Sequence, residues 1–224
     1  MSNFSKQFIN RGDISFMGMR STAMSLLSTD KTELAKLYND LKRGTDILDD
    51  EPHLNMYLRS FGKMHKAKLD TAFTCLPDAT SIFSENIEIY DWGCGQGTAS
   101  ICLLDFLASN HIRHNIVQVN LVEPSVPATR RAKEIISCYD PSIKVNVLNK
   151  VFDDLTETDF ARTNNRKLHL FSNILDVDAF DLAQFTFLFQ QCFWGKNYFV
   201  CVGPYYSNNK RVDEFITAIS PDDT

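Results

Sequence analysis

Apolar residues along this chain change their spacing near residue 87. Before that point they recur every three to four positions, the period of a helix packed along one face. Leu34, Leu37, Tyr38 and Leu41 mark one such face, opened by Asp30 with Glu33 as a capping-box pair and closed at Gly44. Leu54, Leu58, Phe61, Leu69 and Phe73 predict a second helix from near Pro52 to Pro77. Residues 1–28 carry Ile14, Phe16, Met17, Met19, Met24, Leu26 and Leu27 with weak periodicity, which predicts an arm or short helix packed on the body.

After residue 87 the pattern becomes short apolar runs separated by longer helical stretches. Strands are predicted over 87–90, 117–122, 144–148, 168–171 and 197–202. Helices are predicted over 99–107, 125–138, 182–193 and 212–219, the second with Ser125 as N-cap. Strand–helix alternation of this kind predicts an α/β fold with a doubly wound, mostly parallel sheet. It divides the chain into an N-terminal arm and helical cap, 1–80, and a sheet domain, 81–224.

The junction of the first strand and helix reads Asp91-Trp92-Gly93-Cys94-Gly95-Gln96-Gly97. Glycine reaches positive φ without a Cβ penalty and leaves room for a ligand against the peptide plane. A strand, a glycine turn and a helix N-terminus together favour an anionic or nucleoside-bearing ligand. The spacing is an acid followed by G-x-G-x-G, not the dinucleotide G-x-G-x-x-G, and no Gly-Lys-Ser/Thr follows as in a P-loop. A second acid, Glu123, ends the apolar run of the second strand, where a carboxylate can accept both hydroxyls of a ribose.

Asp91 to Gly97 with Glu123 resembles the glycine-rich motif of class I S-adenosylmethionine-dependent methyltransferases. The resemblance implies a Rossmann-like fold and S-adenosyl-L-methionine as cofactor. It places the cofactor's amino-acid end on Asp91, Gly93, Cys94, Gly95, Gln96 and Gly97 and the ribose on Glu123. The adenine would lie near Asn149 and Phe152, with Val151 as an alternative wall and Asp153 as an alternative acid. Acceptor chemistry in such proteins sits at the tip of the fourth strand, here Ser172-Asn173-Ile174-Leu175-Asp176. That makes Asn173 and Asp176 the catalytic candidates, Asn173 also touching the cofactor, and the absence of Asn/Asp-Pro-Pro-aromatic argues against methylation of exocyclic base nitrogens. Trp92, Tyr205 and Tyr206 are aromatics placed to flank the sulfonium or stack on a planar substrate. Two short stretches, Gly95 to Ser100 and Val122 to Ser125, also resemble ribosome-associated methyltransferase-like proteins, which keeps RNA beside small molecules as an acceptor class.

Composition trims these expectations. A net charge of −5 over 224 residues gives no support to broad phosphate binding. Two local basic clusters remain, Arg59/Lys63/His65/Lys66/Lys68 and Arg130/Arg131/Lys133, readable as nucleic-acid patches or as solvated helix faces. Six cysteines without C-x-x-C spacing or histidine clustering point to neither a metal site nor a disulfide framework, and so to the reducing cytosol. The first residues lack the order of a signal peptide, and no apolar run reaches membrane-spanning length.

After residue 208 there is sequence for one helix and an acidic tail. The sheet is therefore expected to lack the last two strands of the seven-stranded family pattern, or the chain to be a piece of a longer protein. Its fifth-strand edge would need covering by the last helix, the arm or a protein partner. Two further functions stay open: a non-catalytic methyltransferase-like binding protein, and an NAD-dependent oxidoreductase with atypical glycine spacing.

Overall fold

The computed structural model describes residues 2–44, 46–204 and 210–220. Six helices come first: α1 (Asn3–Arg11), α2 (Phe16–Ser25), α3 (Lys31–Asp40), α4 (Glu51–Ser60), α5 (Gly62–Thr74) and α6 (Ala79–Ser84). Then β1 (Ile87–Trp92), α7 (Thr98–Ser109), β2 (Ile116–Val122), α8 (Val126–Tyr139) and β3 (Lys144–Leu148) alternate. The last part holds β4 (Arg166–Ser172), α9 (Leu182–Cys192), β5 (Asn197–Val202) and α10 (Lys210–Ile219).

The five strands form one sheet in the order β3-β2-β1-β4-β5, and every pairing is parallel. This is a doubly wound, Rossmann-like sheet of five strands. β1 lies at its centre and is buried along its whole length, as a parallel strand covered on both faces must be. The strand order reverses direction at β1, whose neighbours are β2 and β4. At such a switch point the connections leave on opposite sides and open a crevice at the carboxyl ends of the strands.

The two faces differ in chemistry. One is aliphatic: Ile87, Ile89, Val119, Leu121, Leu168 and Leu170 pack against α7 and α8. The same core takes in Phe4, Phe8, Phe16, Met19, Leu58, Leu69 and Phe73 from the N-terminal helices. The other face is aromatic: Tyr90, Trp92 and Phe171 pack with Phe152, Phe160, Phe185, Phe189, Phe193 and Phe215.

Several elements differ from the sequence pattern. The helix expected over 52–77 is broken at Phe61–Gly62 into α4 and α5. A Cβ on Gly62 would stand 3.2 Å from the Phe16 ring, so the bare glycine lets α2 approach at the break. Residues 1–28 form two capped helices, each with a serine N-cap, Ser2 and Ser15. Trp92 does not face a ligand. Alternation along β1 turns its side chain onto the aromatic face, where it stacks at 7° on Phe171 and donates Nε1–H to His169 Nδ1 at 3.2 Å. Among the described residues no helix is long and apolar enough to cross a membrane.

Candidate cofactor site at the glycine turn

The three glycines of the turn all have positive φ: 61° at Gly93, 50° at Gly95 and 76° at Gly97. Their surroundings separate them. A Cβ on Gly93 would lie 2.7 Å from Ile174 Cγ1, and one on Gly97 would lie 2.8 Å from Ala132 Cβ. A Cβ on Gly95 would meet nothing within 4 Å. Gly93 and Gly97 are therefore closed by packing, against the β4 tip and α8 respectively. Of the three, Gly95 alone has open space where a Cβ would stand.

Five hydrogen bonds fix the turn, four of them to its neighbours. Cys94 N–H donates to Val122 O at 3.1 Å, and Gly97 N–H to Cys94 O at 2.8 Å. Gly95 N–H donates to Glu123 Oε2 at 3.1 Å. Gln96 Nε2 donates to Leu54 O at 2.8 Å, while its Oε1 accepts from Arg131 Nη1 at 2.7 Å. Gln96 is only 3% exposed and its side chain is engaged at both ends, so a ligand above it would meet its backbone.

Glu123 sits at the β2 tip with its second oxygen, Oε1, accepting from Ser125 N–H at 3.0 Å. Burial raises its carboxyl above the usual range. Two amides occupy two of its roughly four acceptor positions, leaving capacity for hydroxyl donors. A cavity of about 410 Å³ opens here, lined by Gly93, Gly95, Gln96 and Glu123 from the turn side. Val151 and Phe152 follow β3, and Ser172, Asn173 and Ile174 follow β4. Asp46, Ile47, Leu48, Leu54 and Tyr57 close it from the N-terminal segment.

Asp91 lies outside this lining, 1% exposed below the turn. Its Oδ2 accepts from Ser100 N–H at 3.0 Å and Ser100 Oγ at 2.7 Å, which ties the strand to the first turn of α7. Its other oxygen, Oδ1, is buried with no hydrogen-bond partner among the described residues. Burial outweighs the two Ser100 bonds and pushes the carboxyl up to about 6. A buried carboxylate oxygen without a donor is a group that a cationic donor would satisfy.

The remaining expected residues fall into two groups. Phe152 and Asn173 line the cleft; Cys94, Gly97 and Asn149 do not. Asn149 Nδ2 instead donates to Glu123 O at 3.0 Å and Thr129 Oγ1 at 2.9 Å, bracing the β2 tip. Asn173 holds φ at 56°, and its Oδ1 accepts from Lys68 Nζ at 3.2 Å. Lys68 also donates to Gly203 O at 3.1 Å, so one lysine of α5 bridges the β4 and β5 tips. Asp176 does not line the cleft, and its Oδ1 is buried without a partner among the described residues. Asn173 and Asp176 are thus not brought together in the cleft. Tyr205 and Tyr206 lie outside the described residues.

No family model matches the chain, and no curated protein matches it. Among solved structures, a Burkholderia thailandensis protein bound to S-adenosyl-homocysteine aligns with 64% of this chain at 13% identity and a TM-score of 0.30. The plantazolicin methyltransferase, in complex with a substrate analogue and S-adenosyl-homocysteine, aligns with 98% at 14% identity and a TM-score of 0.38. A type I restriction-modification methyltransferase subunit from Streptococcus thermophilus aligns with 76% at 11% identity and a TM-score of 0.32. The chain spans 41%, 66% and 43% of those proteins' lengths.

The pattern along the chain did not place Gly44, Asp46, Ile47, Leu48, Leu54 or Tyr57 at the cleft, because nothing local marks a residue that reaches a cleft built elsewhere. It also misplaced the basic clusters. Arg131 is buried against Gln96 and Glu51 with its guanidinium 3.8 Å from the Phe4 ring centroid. Lys66 pairs with Asp70 at 2.8 Å, and His65 is buried and stacked on Phe61. Neither cluster is a continuous cationic face.

Proposed function

We propose that this chain binds S-adenosylmethionine in the cleft over the β1, β2 and β4 tips and transfers its methyl group to a small molecule. The observation that carries the proposal is Gly95: a cleft-lining glycine with open space where a Cβ would stand, its N–H held by the carboxylate at the β2 tip. Glu123 would accept the ribose hydroxyls with its remaining lone pairs. Asp91 Oδ1 would take the α-ammonium directly or through water, and Val151 and Phe152 would form the apolar wall for the adenine. When bound, the cofactor supplies an activated methyl on a sulfonium for in-line displacement.

The protein's part is to position and to exclude water. Phe152, Phe180, Ile174 and Val177 give the cleft an apolar lining that disfavours competing attack by water. Asn173 is the group best placed to orient an acceptor. Its oxygen is engaged by Lys68 and its Nδ2 donates to Ser172 Oγ at 3.2 Å, so its second amide N–H is what it offers to an acceptor's lone pair. Asp176 is retained as an acceptor-side base only if the β4–α9 segment moves. The lining favours a small molecule over RNA, since Asp46 and Glu123 are its acidic members and Arg131 and Lys66 are engaged elsewhere. Six unpaired cysteines fit a reducing compartment such as the cytosol.

A second function is favoured by the separation of Asn173 from Asp176: cofactor binding without transfer. Calorimetry with S-adenosyl-homocysteine tests binding, and incubation with labelled S-adenosylmethionine and small-molecule, RNA and protein pools tests transfer. Binding with label in the small-molecule pool supports the proposal. Binding without label in any pool supports the non-catalytic function. If NADH raises the melting temperature and S-adenosyl-homocysteine does not, the chain is instead an oxidoreductase.

A further inference from the structure

Arg131 is the largest charged side chain withdrawn from solvent among the described residues, at 1% exposure, and it is bonded to the glycine turn through Gln96. It projects from α8, one residue before Ala132, whose Cβ closes against Gly97. Nη1 donates to Gln96 Oε1 at 2.7 Å, Nη2 pairs with Glu51 at the start of α4, and the Phe4 ring of α1 covers the guanidinium plane at 3.8 Å. Its Nε has no partner among the described residues. Burial lowers its pKa to about 10, so it remains cationic at neutral pH.

Such a group is hard to explain by stability. Replacing a buried ion pair with apolar side chains of similar volume is often neutral or stabilising. What the guanidinium does supply is a donor of fixed, planar geometry for Gln96. Gln96 has no other acceptor role to hold it, and its amide end is tied to Leu54 of α4. Two elements outside the turn, α8 and α4, thereby clamp one of its side chains.

We infer that Arg131 is a positioning residue for the cofactor loop: through Gln96 it locks the Gly93–Gly97 turn in its ligand-ready shape and couples that shape to the docking of α1 and α4. The inference builds on the cofactor assignment above. Without the clamp the turn would sample other conformations, and each ligand molecule bound would have to reorder it.

A double-mutant cycle tests this, using Arg131→Met and Gln96→Met in the full chain with S-adenosyl-homocysteine calorimetry. A hydrogen bond to a charged group predicts that Arg131→Met weakens affinity about tenfold, and that Gln96→Met does the same. The double variant is expected to be no weaker than either single one. Losses that multiply, or an Arg131→Met protein that binds like wild type, overturn the inference. Amide hydrogen exchange gives a readout that needs no ligand. Arg131→Met should speed exchange at Cys94, Gly95 and Gly97 while Leu168 and Leu170 in β4 stay protected. Equal acceleration in both places marks Arg131 as a general stability residue and overturns the inference, as does unchanged exchange at the turn. If Arg131→Met does not fold, Gln96→Met alone decides: unchanged affinity and exchange overturn the clamp. Should wild type bind no S-adenosyl-homocysteine, the cofactor assignment falls and the exchange comparison still settles Arg131.

Discussion

The cleft has two halves built on different principles. Its β1–β2 half is made within one strand–helix–strand unit: a glycine turn, the residue just past the next strand, and the N-cap that follows, joined by Glu123 to Gly95 and Ser125. Its β4–β5 half depends on a side chain from far away, Lys68 of α5, which reaches Asn173 and Gly203. The first half rests on backbone geometry that admits few residue types, with Gln96 held from outside by Arg131 and Leu54. The second is held by one flexible, half-buried cation that many residue types could replace. The contrast teaches that a binding site can be specified locally while the chemistry beside it is assembled by tertiary packing.

The largest effect should come from the closed glycines. Gly97→Ala places a methyl against Ala132 at a φ of 76°, and overpacking with a left-handed backbone should cost about 2–4 kcal/mol. Thermal denaturation reads this as a drop of many degrees. Gly95→Ala shares the left-handed strain at a φ of 50° but has open space around it, so it should lose only about 1–2 kcal/mol of stability, and ligand affinity with it. Equal destabilisation by both would erase the division between packing and open glycines.

Next in size is Glu123→Ala. It removes the acceptor for two turn amides and for the proposed ribose contact, which should weaken S-adenosyl-homocysteine by about tenfold to a hundredfold. Calorimetry checks this directly. Lys68→Met, on the other half, should change the same affinity by less than about threefold, because a distant point charge acts on Asn173 and not on the turn. A loss from Lys68→Met as large as that from Glu123→Ala would mean the halves are one unit.

Asp91→Asn separates stability from binding within the first half. Burial raises the Asp91 carboxyl to about 6, so the folded state disfavours its ionisation. Its penalty on stability is absent well below the ordinary carboxyl range and fully present above pH 6. Asparagine keeps an acceptor for Ser100 and lacks the charge. The variant should therefore melt a few degrees higher than wild type at pH 7.5, with the gap closing by about pH 4. Wild-type affinity for S-adenosyl-homocysteine should fall as pH drops through about 6, while the weaker affinity of Asp91→Asn stays flat there.

How far these features could be read along the chain follows the same division. The strands over 144–148 and 197–202 agree with β3 and β5, because apolar runs bounded by helices leave little choice. The Ser125 N-cap and the start of α4 at Pro52 were equally legible, since caps are local hydrogen-bond chemistry. The break at Gly62 is not, and the Phe16 ring packed against that glycine belongs to another helix. Trp92 was assigned to the cleft on position alone, although the parity of β1 turns it to the aromatic face. Arg131 read as part of a basic patch because burial by Phe4 and Glu51, more than seventy residues away, leaves no trace in its own neighbourhood.

The central claim is that the open space over Gly95, beside Glu123, holds an S-adenosyl nucleoside. Calorimetric titration of the wild-type protein with S-adenosyl-homocysteine, with NADH in parallel, tests it most directly. The expected result is one-to-one binding of S-adenosyl-homocysteine, lost in Glu123→Ala, and no heat from NADH. Silence with S-adenosyl-homocysteine, or binding that Glu123→Ala leaves intact, would contradict it.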